Sequence, residues 1–265
     1  MRVIITGASG RMGRMLVRAV SESDAAELLG ATEREGSECL GRDAGELAGV
    51  GSLGVLLTDD LHAFPDADVL IDFTAPEACL AHARYVAQNG LGMVIGTTGY
   101  RPQQLQELHD ILSASPVVMA ANFSVGVNLA LQLIEQAAGV LGDEYDAEIF
   151  EAHHKHKVDA PSGTALAMGR SLAAGRGVDL QDVAVYAREG ITGEREAGNI
   201  GFSVMRAGAI VGEHKTMFVA DEERIEINRV ATDRMVFARG AVRAACWLQN
   251  QSSGWYGMRE VLGLD

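Results

Sequence analysis

Apolar and polar positions follow a regular pattern through the first half of the chain, where short apolar runs are separated by longer amphipathic segments. The apolar runs are VIIT (3–6), LLGAT (28–32), VLIDF (69–73), GMVIGTT (92–98) and VVMAANF (117–123). Helices are predicted between or after these runs, from about Met12, from Pro76, from near Pro102 and through Leu141. Nearly continuous apolar strands that alternate with helices are typical of a parallel sheet covered on both faces. The first half is therefore predicted to be an α/β domain.

The pattern changes after about residue 145. DAEIFEAHH (146–154) predicts a strand and TALAMGRSLAA (164–174) a helix, and further apolar runs then follow with no helix between them. These runs are AVYAR, GFSVMRA, AIVGEH, KTMFVA and ERIEINRV. Successive strands without crossover helices favour a mixed or antiparallel sheet, hence a second, α+β domain. A last helix near 235–250 is predicted to return to the first domain. The predicted domains are 1–125 plus 235–265, and 126–234.

Charge and cysteine usage narrow the class of protein. The formal net charge of -14 argues against nucleic acid or an anionic membrane as the main partner, because both attract clustered Lys and Arg. The three cysteines are far apart and form no CxxC pair, so reduced thiols are expected. We find no signal-peptide pattern, and no apolar run approaches the roughly 18 residues of a membrane span. A cytoplasmic protein is expected.

A glycine-rich loop lies between the first predicted strand and the first helix. Gly7, Gly10 and Gly13 have the spacing GxxGxxG, which departs from the commoner GxGxxG of dinucleotide-binding loops. Glu33 follows about 20 residues later, at the end of the second strand, where a carboxylate accepts hydrogen bonds from a ribose. The other interpretation is a turn that serves only chain reversal. The context of strand, loop, helix and acid predicts a Rossmann-type dinucleotide site.

The choice between NADH and NADPH stays open from these residues. Glu33 favours the free 2′-hydroxyl of NAD, whereas the guanidinium of Arg34 pairs with the 2′-phosphate of NADP. Arg11, inside the glycine loop, is a second candidate for that phosphate, or else an exposed arginine.

The segment EAHHKHKVDAPSGTA (151–165) concentrates three of the seven histidines beside two lysines. It predicts a metal site, a proton-transfer site for an anionic substrate, or a solvated basic turn. Strand alternation places Glu151 and His153 on one face and His154 on the other, so the histidines do not converge, and the lysines repel a cation. The spacing therefore disfavours a metal.

A helix start directly after these histidines favours anion chemistry. Ser162 is a plausible cap, and the N–H groups of Gly163 and Thr164 lie at the positive end of the helix, close in sequence to Lys157. A histidine beside such a site exchanges a proton near neutral pH. The solvated basic turn remains the alternative.

The same segment resembles the signature of the 4-hydroxy-tetrahydrodipicolinate reductase family, formerly called dihydrodipicolinate reductases, of bacterial lysine and diaminopimelate synthesis. The resemblance extends over nearly the whole chain. It is carried by TGASGRMGR at the start, IDFT (71–74), VIGTTG (94–99), AANFSVGVN (120–128) and MRAGAIVGEH (205–214).

The resemblance implies roles for individual residues. It makes His153 the proton donor and Lys157 its partner, with His154, Gly163 and Thr164 contacting the substrate carboxylates. The implied cofactor-binding residues are Gly7, Ala8, Ser9, Gly10, Arg11, Met12, Glu33, Arg34, Gly96, Thr97, Thr98, Ala120, Ala121, Asn122 and Phe123. No metal is implied.

The resemblance also implies a reaction and an assembly. A hydride passes from C4 of NADH or NADPH to a cyclic, conjugated imine with two carboxylates, a proton is gained and water is lost. The second domain is implied to bind the substrate and to form a homotetramer. Many family members have a basic residue after IDFT, where this chain has Ala75, which leaves the preference for NADPH in doubt. The alternatives are another two-domain dehydrogenase of a small amino or oxo acid and a non-catalytic NAD(P) sensor.

Several single residues are interpreted as structural or exposed. His62, His82 and His109 are expected to be exposed on helices, and His214 is expected to be structural and outside the site. Arg234 is either a site residue or a surface residue. The helical spacing of Leu129, Leu133, Ile134 and Val140 predicts core positions.

Overall fold

The computed structural model of the protein describes residues 1–264, and the chain divides into two compact units. One unit is Met1–Val125 together with the segment that begins at Met235, and the other is Gly126–Arg234.

Strands and helices alternate in the first unit and are more unevenly distributed in the second. The strands are β1 (Arg2–Thr6), β2 (Glu27–Thr32), β3 (Val69–Asp72), β4 (Gly92–Ile95), β5 (Pro116–Met119), β6 (Asp146–His153), β7 (Ala184–Val185), β8 (Ile200–Arg206), β9 (Gly212–Val219), β10 (Arg224–Ala231) and β11 (Gly254–Tyr256). The helices are α1 (Arg11–Ser21), α2 (Ala44–Ala48), α3 (Pro76–Asn89), α4 (Pro102–Ile111), α5 (Val125–Leu141), α6 (Gly163–Arg176), α7 (Leu180–Val183), α8 (Met235–Leu248) and α9 (Met258–Leu262).

The first unit is built on a six-stranded sheet in the order β11-β5-β4-β3-β1-β2, and every pairing in it is parallel. The five predicted strands are confirmed, although the last two end earlier than expected, at Ile95 and Met119. The edge strand β11 and the short helix α9 were not predicted, because each is too short to show a hydrophobic period.

Both faces of this sheet are buried, as the pattern predicts. Val3 and Ile5 of β1 belong to one apolar cluster, which α1 and α8 cover, whereas Ile4 belongs to a second cluster with residues of α3 and α4. The alternation follows from the two-residue period of a strand. The return of the C-terminal helix to the first unit is confirmed, because Ala238, Ala241 and Ala245 of α8 lie in the first cluster.

The second unit contains a five-stranded sheet in the order β10-β9-β6-β8-β7. β6 pairs in parallel with β8 and antiparallel with β9, so the sheet is mixed, and the predicted α+β class is confirmed. Two predicted strands, AIVGEH and KTMFVA, are one continuous strand, β9. AVYAR contributes only Ala184–Val185 to the sheet.

One face of this mixed sheet is covered by α5 and α6. Ile149 and Phe218 of the sheet lie in one apolar cluster with Ile134 of α5 and with Met168 and Leu172 of α6. Because positions alternate along β6, Glu151 and His153 lie on the same face as Ile149, at the end where the strand leaves the cluster.

The prediction that four apolar positions of α5 form core is mostly wrong. Ile134 is fully buried, but Leu129 and Leu133 are each 43% exposed and Val140 is 87% exposed. The buried stripe runs instead through Val127, Ala130, Ile134 and Ala138. The helix is apolar on more than one side, so periodicity alone does not select the buried side.

The expectation that no apolar run approaches the length of a membrane span is also wrong. Within residues 1–264, Val125–Glu144 is one helical segment long and apolar enough to cross a membrane by length and composition alone. Ile134 and Ala138 within it are fully buried against the second unit's own core, and 22% of its apolar window is buried.

Candidate functional site

A buried carboxylate organises the polar end of the second unit's sheet. Glu151 is 1% exposed and accepts hydrogen bonds from His153 Nδ1 at 2.6 Å, from Arg206 at 2.7 and 2.8 Å, and from the Ser162 backbone N–H at 2.9 Å. Burial opposes its ionisation, but the hydrogen bonds from Arg206, His153 and Ser162 hold the pKa of Glu151 below its usual value. Glu151 is therefore an anion with a fixed orientation.

The ionised carboxylate fixes the tautomer of His153. Because Glu151 only accepts, Nδ1 of His153 carries hydrogen and donates, which leaves Nε2 as the reactive nitrogen. Burial lowers the pKa of His153, the hydrogen bond to Glu151 raises it, and the charges of Lys157 and Arg206 lower it further. Gly212 borders this nitrogen, since a Cβ added there would lie 3.1 Å from Nε2.

His214, which the sequence placed outside the site as a structural residue, is buried and lies beside His153. The two rings are 5.1 Å apart and nearly perpendicular, and His214 is 2% exposed. Its Nε2 is 3.0 Å from Ser162 Oγ, while Ser162 Oγ also accepts from the Ala165 N–H. Burial lowers the pKa of His214 to about 4, and the neighbouring His153 adds to the lowering, so His214 is neutral at pH 7.

Ser162 caps α6 as predicted, and α6 begins at Gly163. Its first N–H groups point out of the helix end, as in every α-helix. A Cβ added at Gly163 would meet no other atom within 4 Å, so there is open space beside this helix start. Thr164 is the next residue of the same first turn.

The basic residues of the predicted site lie on the turn after β6. Lys157 Nζ is 2.8 Å from Asp159 Oδ1, and the Lys157 side chain is 22% exposed. His154 has its Nε2 3.4 Å from Arg234 Nη2. Its Nδ1 is buried and has no hydrogen-bond partner within residues 1–264. The structure thus makes Arg234 a neighbour of a predicted site residue, and it leaves one buried nitrogen of His154 without a partner among the described residues.

The glycine loop of the first unit has the shape that a pyrophosphate site requires. Gly7 has φ +61°, in the left-handed region, and Gly10 is the N-cap of α1. At Gly13 a Cβ would lie 2.2 Å from the Gly7 carbonyl oxygen, so only glycine lets the helix approach the loop. Ala8, Ser9, Arg11 and Met12 complete this turn and the start of α1. The residues present fit a bound dinucleotide.

Glu33 directly follows β2, as the sequence predicts. Ser9 Oγ donates to its Oε2 at 2.5 Å, and the Arg34 N–H donates to its Oε1 at 3.0 Å. Burial opposes ionisation, but the hydrogen bonds from Ser9 and Arg34 lower the pKa of Glu33. Gly7, Glu33 and Arg34 line one groove of about 630 Å³.

The remaining predicted cofactor residues lie at the carboxyl ends of β4 and β5, which is where parallel α/β sheets bind ligands. Gly96, Thr97 and Thr98 directly follow β4, and Ala120, Ala121, Asn122 and Phe123 directly follow β5. At Gly96 a Cβ would lie 2.1 Å from the Phe73 ring, so this position has no room for a side chain.

The expectation that His82 is an isolated exposed residue is wrong. Its Nδ1 lies 2.5 Å from Asp72 Oδ2, and the side chain is 19% exposed. His62 and His109 are exposed as expected, but His109 also stacks on Trp255 at 3.8 Å.

A metal centre finds no support in the described part of the chain. Across residues 1–264, no group of three or more His, Cys, Asp or Glu side chains is arranged to hold a metal ion.

Comparison with known families accounts for both units at once. The family profile described as the N-terminus of dihydrodipicolinate reductase matches residues 1–123, and the one described as its C-terminus matches residues 126–262. The chain belongs to the dihydrodipicolinate reductase family. It is accordingly an NAD(P)H-dependent oxidoreductase of lysine and diaminopimelate biosynthesis. The resemblance found in the sequence, and the enzyme class and cofactor that it implied, are confirmed.

Solved structures similar to this reductase-family chain share its fold. A dipicolinate-bound dihydrodipicolinate reductase from Paenisporosarcina sp. TG-14 is 23% identical, with a TM-score of 0.76 and 98% of each chain covered. An amine dehydrogenase from Mycobacterium smegmatis is 12% identical, with a TM-score of 0.65, and 97% of this chain and 94% of that chain are covered.

The fold alone does not distinguish the reductase family from other two-domain dehydrogenases. Aspartate semialdehyde dehydrogenase II from Vibrio cholerae is 12% identical, with a TM-score of 0.53, and 94% of this chain and 98% of that chain are covered. The matches to the two reductase profiles, not the shared fold, decide between these families.

Proposed function

We propose that the chain reduces 4-hydroxy-tetrahydrodipicolinate to tetrahydrodipicolinate, with His153 as the proton donor. The observation that carries this assignment is the hydrogen bond of His153 Nδ1 to the buried Glu151 carboxylate, beside the capped start of α6. When bound, the reduced nicotinamide supplies a hydride from its C4. The residues of the second unit then have to hold a dicarboxylate and supply a proton.

The substrate carboxylates are held by Lys157, His154 and the start of α6. Lys157 contributes a full positive charge, and the N–H groups at Gly163 and Thr164 contribute the positive end of the helix dipole. The open space beside Gly163 and the unpaired Nδ1 of His154 support binding here. The relative from Paenisporosarcina binds dipicolinate, which is itself a dicarboxylate.

The proton comes from the imidazolium form of His153. Nδ1 is committed to Glu151, so the transferred proton is the one on Nε2, the nitrogen that borders Gly212. Burial lowers the pKa of the free His153, whereas a bound dianion near Lys157 neutralises the positive charges that lower it further. Substrate binding is therefore expected to take up a proton.

Assembly as a homotetramer and a cytoplasmic location belong to the same proposal. The sheet face opposite α5 and α6 presents Phe150, Met205 and Met217, and Met205 is 45% exposed. These apolar side chains, which share the face with the charged Lys215 and Glu226, support association of copies through the second unit. The cysteines Cys39, Cys79 and Cys246 are all free thiols, as expected in a reducing compartment. Light scattering is expected to give four times the chain mass.

The test measures oxidation of NADH and NADPH with substrate produced in situ from pyruvate and aspartate semialdehyde by the preceding synthase. We expect turnover that depends on both synthase substrates, and a loss of roughly a hundredfold or more in kcat for His153→Gln. Near-normal kcat with an unchanged pH profile in His153→Gln would remove the role of His153. Cofactor binding without turnover would favour another dehydrogenase or a sensor.

A further inference from the structure

The first unit contains a second imidazole–carboxylate pair, between α3 and the end of β3. His82 Nδ1 lies 2.5 Å from Asp72 Oδ2, and Asp72 is fully buried. Neither residue is among those assigned so far to cofactor or substrate.

Asp72 is held in place by several further hydrogen bonds. Thr97 Oγ1 donates to it at 2.6 Å, Thr6 Oγ1 at 3.0 Å, and the Thr74 N–H and hydroxyl at 3.1 and 2.9 Å. Burial opposes its ionisation, but the hydrogen bonds from His82, Thr97 and Thr74 keep the pKa of Asp72 below its usual value. The carboxylate therefore accepts from Nδ1–H of His82, which directs Nε2 to a different partner.

The His82 side chain also borders the nucleotide groove. His82 lines the groove together with Gly7, Glu33 and Arg34. The neighbouring wall positions on α3 and just before it are alanines, which leave the ring accessible: Ala75, Ala78 and Ala81. Within residues 1–264, His82 Nε2 makes no hydrogen bond.

The charges around the groove show what His82 contributes. Glu33, Glu35, Asp59 and Asp60 line the groove, and Arg34 is the one lysine or arginine among the described lining residues. A dinucleotide brings further negative charge through its pyrophosphate. The His82 ring, which is held by Asp72, supplies a hydrogen-bonding group that carries no negative charge, in a lining that is otherwise mostly acidic.

We propose that His82 is a cofactor-binding residue, whose Nε2 forms a hydrogen bond with the ribose hydroxyl groups of the adenosine half of the dinucleotide. We assign the adenosine half because Glu33 and Arg34, which directly follow β2, line the same groove. The identity of the ligand rests on the proposed reductase function.

The experiment measures binding rather than turnover, with ADP-ribose and 2′-phospho-ADP-ribose titrated calorimetrically into the full chain. Two substitutions separate the two nitrogens of the ring. His82→Asn places an amide near the position of Nδ1 and keeps the donor to Asp72, while Nε2 is lost. His82→Gln extends an amide toward the position of Nε2. His109→Asn on α4, outside the groove, is the control for removing an imidazole from this unit.

We expect His82→Asn to weaken ADP-ribose binding roughly tenfold to a hundredfold, with a thermal midpoint close to that of the wild type. His82→Gln is expected to retain part of the affinity, and His109→Asn all of it. Equal affinity of the wild type and His82→Asn would overturn the proposal. A loss of affinity in His82→Asn that is accompanied by a fall in its thermal midpoint would also overturn the proposal. A wild type that binds neither probe would instead overturn the cofactor assignment itself, and His82 with it.

Discussion

Glu151 Oε2 lies 2.6 Å from His153 Nδ1, so this buried carboxylate fixes the orientation of the imidazole that is proposed to donate the proton. Arg206 holds the carboxylate in turn through two hydrogen bonds. The two residues are separated by a single position on β6 and lie on one face of it. A substitution in this pair is expected to change the pH dependence of the reaction, because the carboxylate stabilises the imidazolium form of His153.

Replacing Glu151 by Gln is expected to lower the pKa of His153. Since the donor must be protonated, activity falls as pH rises through that pKa, and the falling limb moves to lower pH in the variant. We expect kcat to drop about tenfold or more at pH 8 and less at pH 6. Steady-state profiles of kcat against pH measure the shift.

Glu148→Gln is the matched control for this change. Glu148 lies on the same strand and is paired with Arg188 and Arg195, but it contacts no histidine. Its pH profile should keep the wild-type position. A shift of equal size in both variants would mean that the loss of a carboxylate, not the contact with His153, moves the profile.

The low pKa of His214 predicts that the folded protein loses stability in mild acid. Its pKa is about 4 in the folded protein and about 6.5 when unfolded. The unfolded chain therefore binds more protons between these values, and stability falls as pH falls from about 6.5 to about 4. The full loss is on the order of 3 kcal/mol.

His214→Gln, which keeps a polar partner for Ser162, should lose less stability than the wild type on going from pH 7.5 to pH 4.5. Urea unfolding at the two pH values gives the comparison. An equal loss in both proteins would show that other groups cause the acid sensitivity.

Arg34 is expected to control the use of NADPH. Its guanidinium is the matched partner for a 2′-phosphate, while Glu33 disfavours that phosphate. Arg34→Ala should lower kcat/KM for NADPH about tenfold and leave kcat/KM for NADH within roughly threefold. Arg84→Ala, which removes an exposed arginine paired with Glu107 on the same unit, should change neither value. Equal losses with both cofactors would contradict a contact specific to the phosphate.

Local sequence patterns predicted the elements of the fold well, because strand and helix periods are properties of neighbouring residues. They also located the glycine loop, Glu33 and the Ser162 cap, which depend on contacts close in sequence. The side of α5 that is buried was not predictable, since its composition is apolar on several sides and only the packed sheet selects Ile134.

The contacts missed at the site join residues that are far apart in the sequence. Ser162 and His214 are 52 positions apart, and Glu151 and Arg206 are 55 positions apart. These contacts depend on the register of β6 with β8 and β9, which the hydrophobic pattern does not specify. The motif MRAGAIVGEH did contain the signal, because Arg206, Gly212 and His214 all lie within it.

Gly163 tests whether the start of α6 binds the substrate. An added methyl group there meets no atom of the protein within 4 Å, and alanine is a better helix former than glycine. Gly163→Ala should therefore unfold at the same urea concentration as the wild type or slightly higher. If a carboxylate binds in that open space, the methyl group displaces it, and the Kd of dipicolinate should rise about tenfold.

In contrast, Gly169→Ala in the same helix should be destabilised, because its Cβ would lie 2.6 Å from the Phe202 ring. Unchanged dipicolinate binding by a stable Gly163→Ala variant would place the carboxylate elsewhere, and the proposed use of the α6 N-terminus would be wrong.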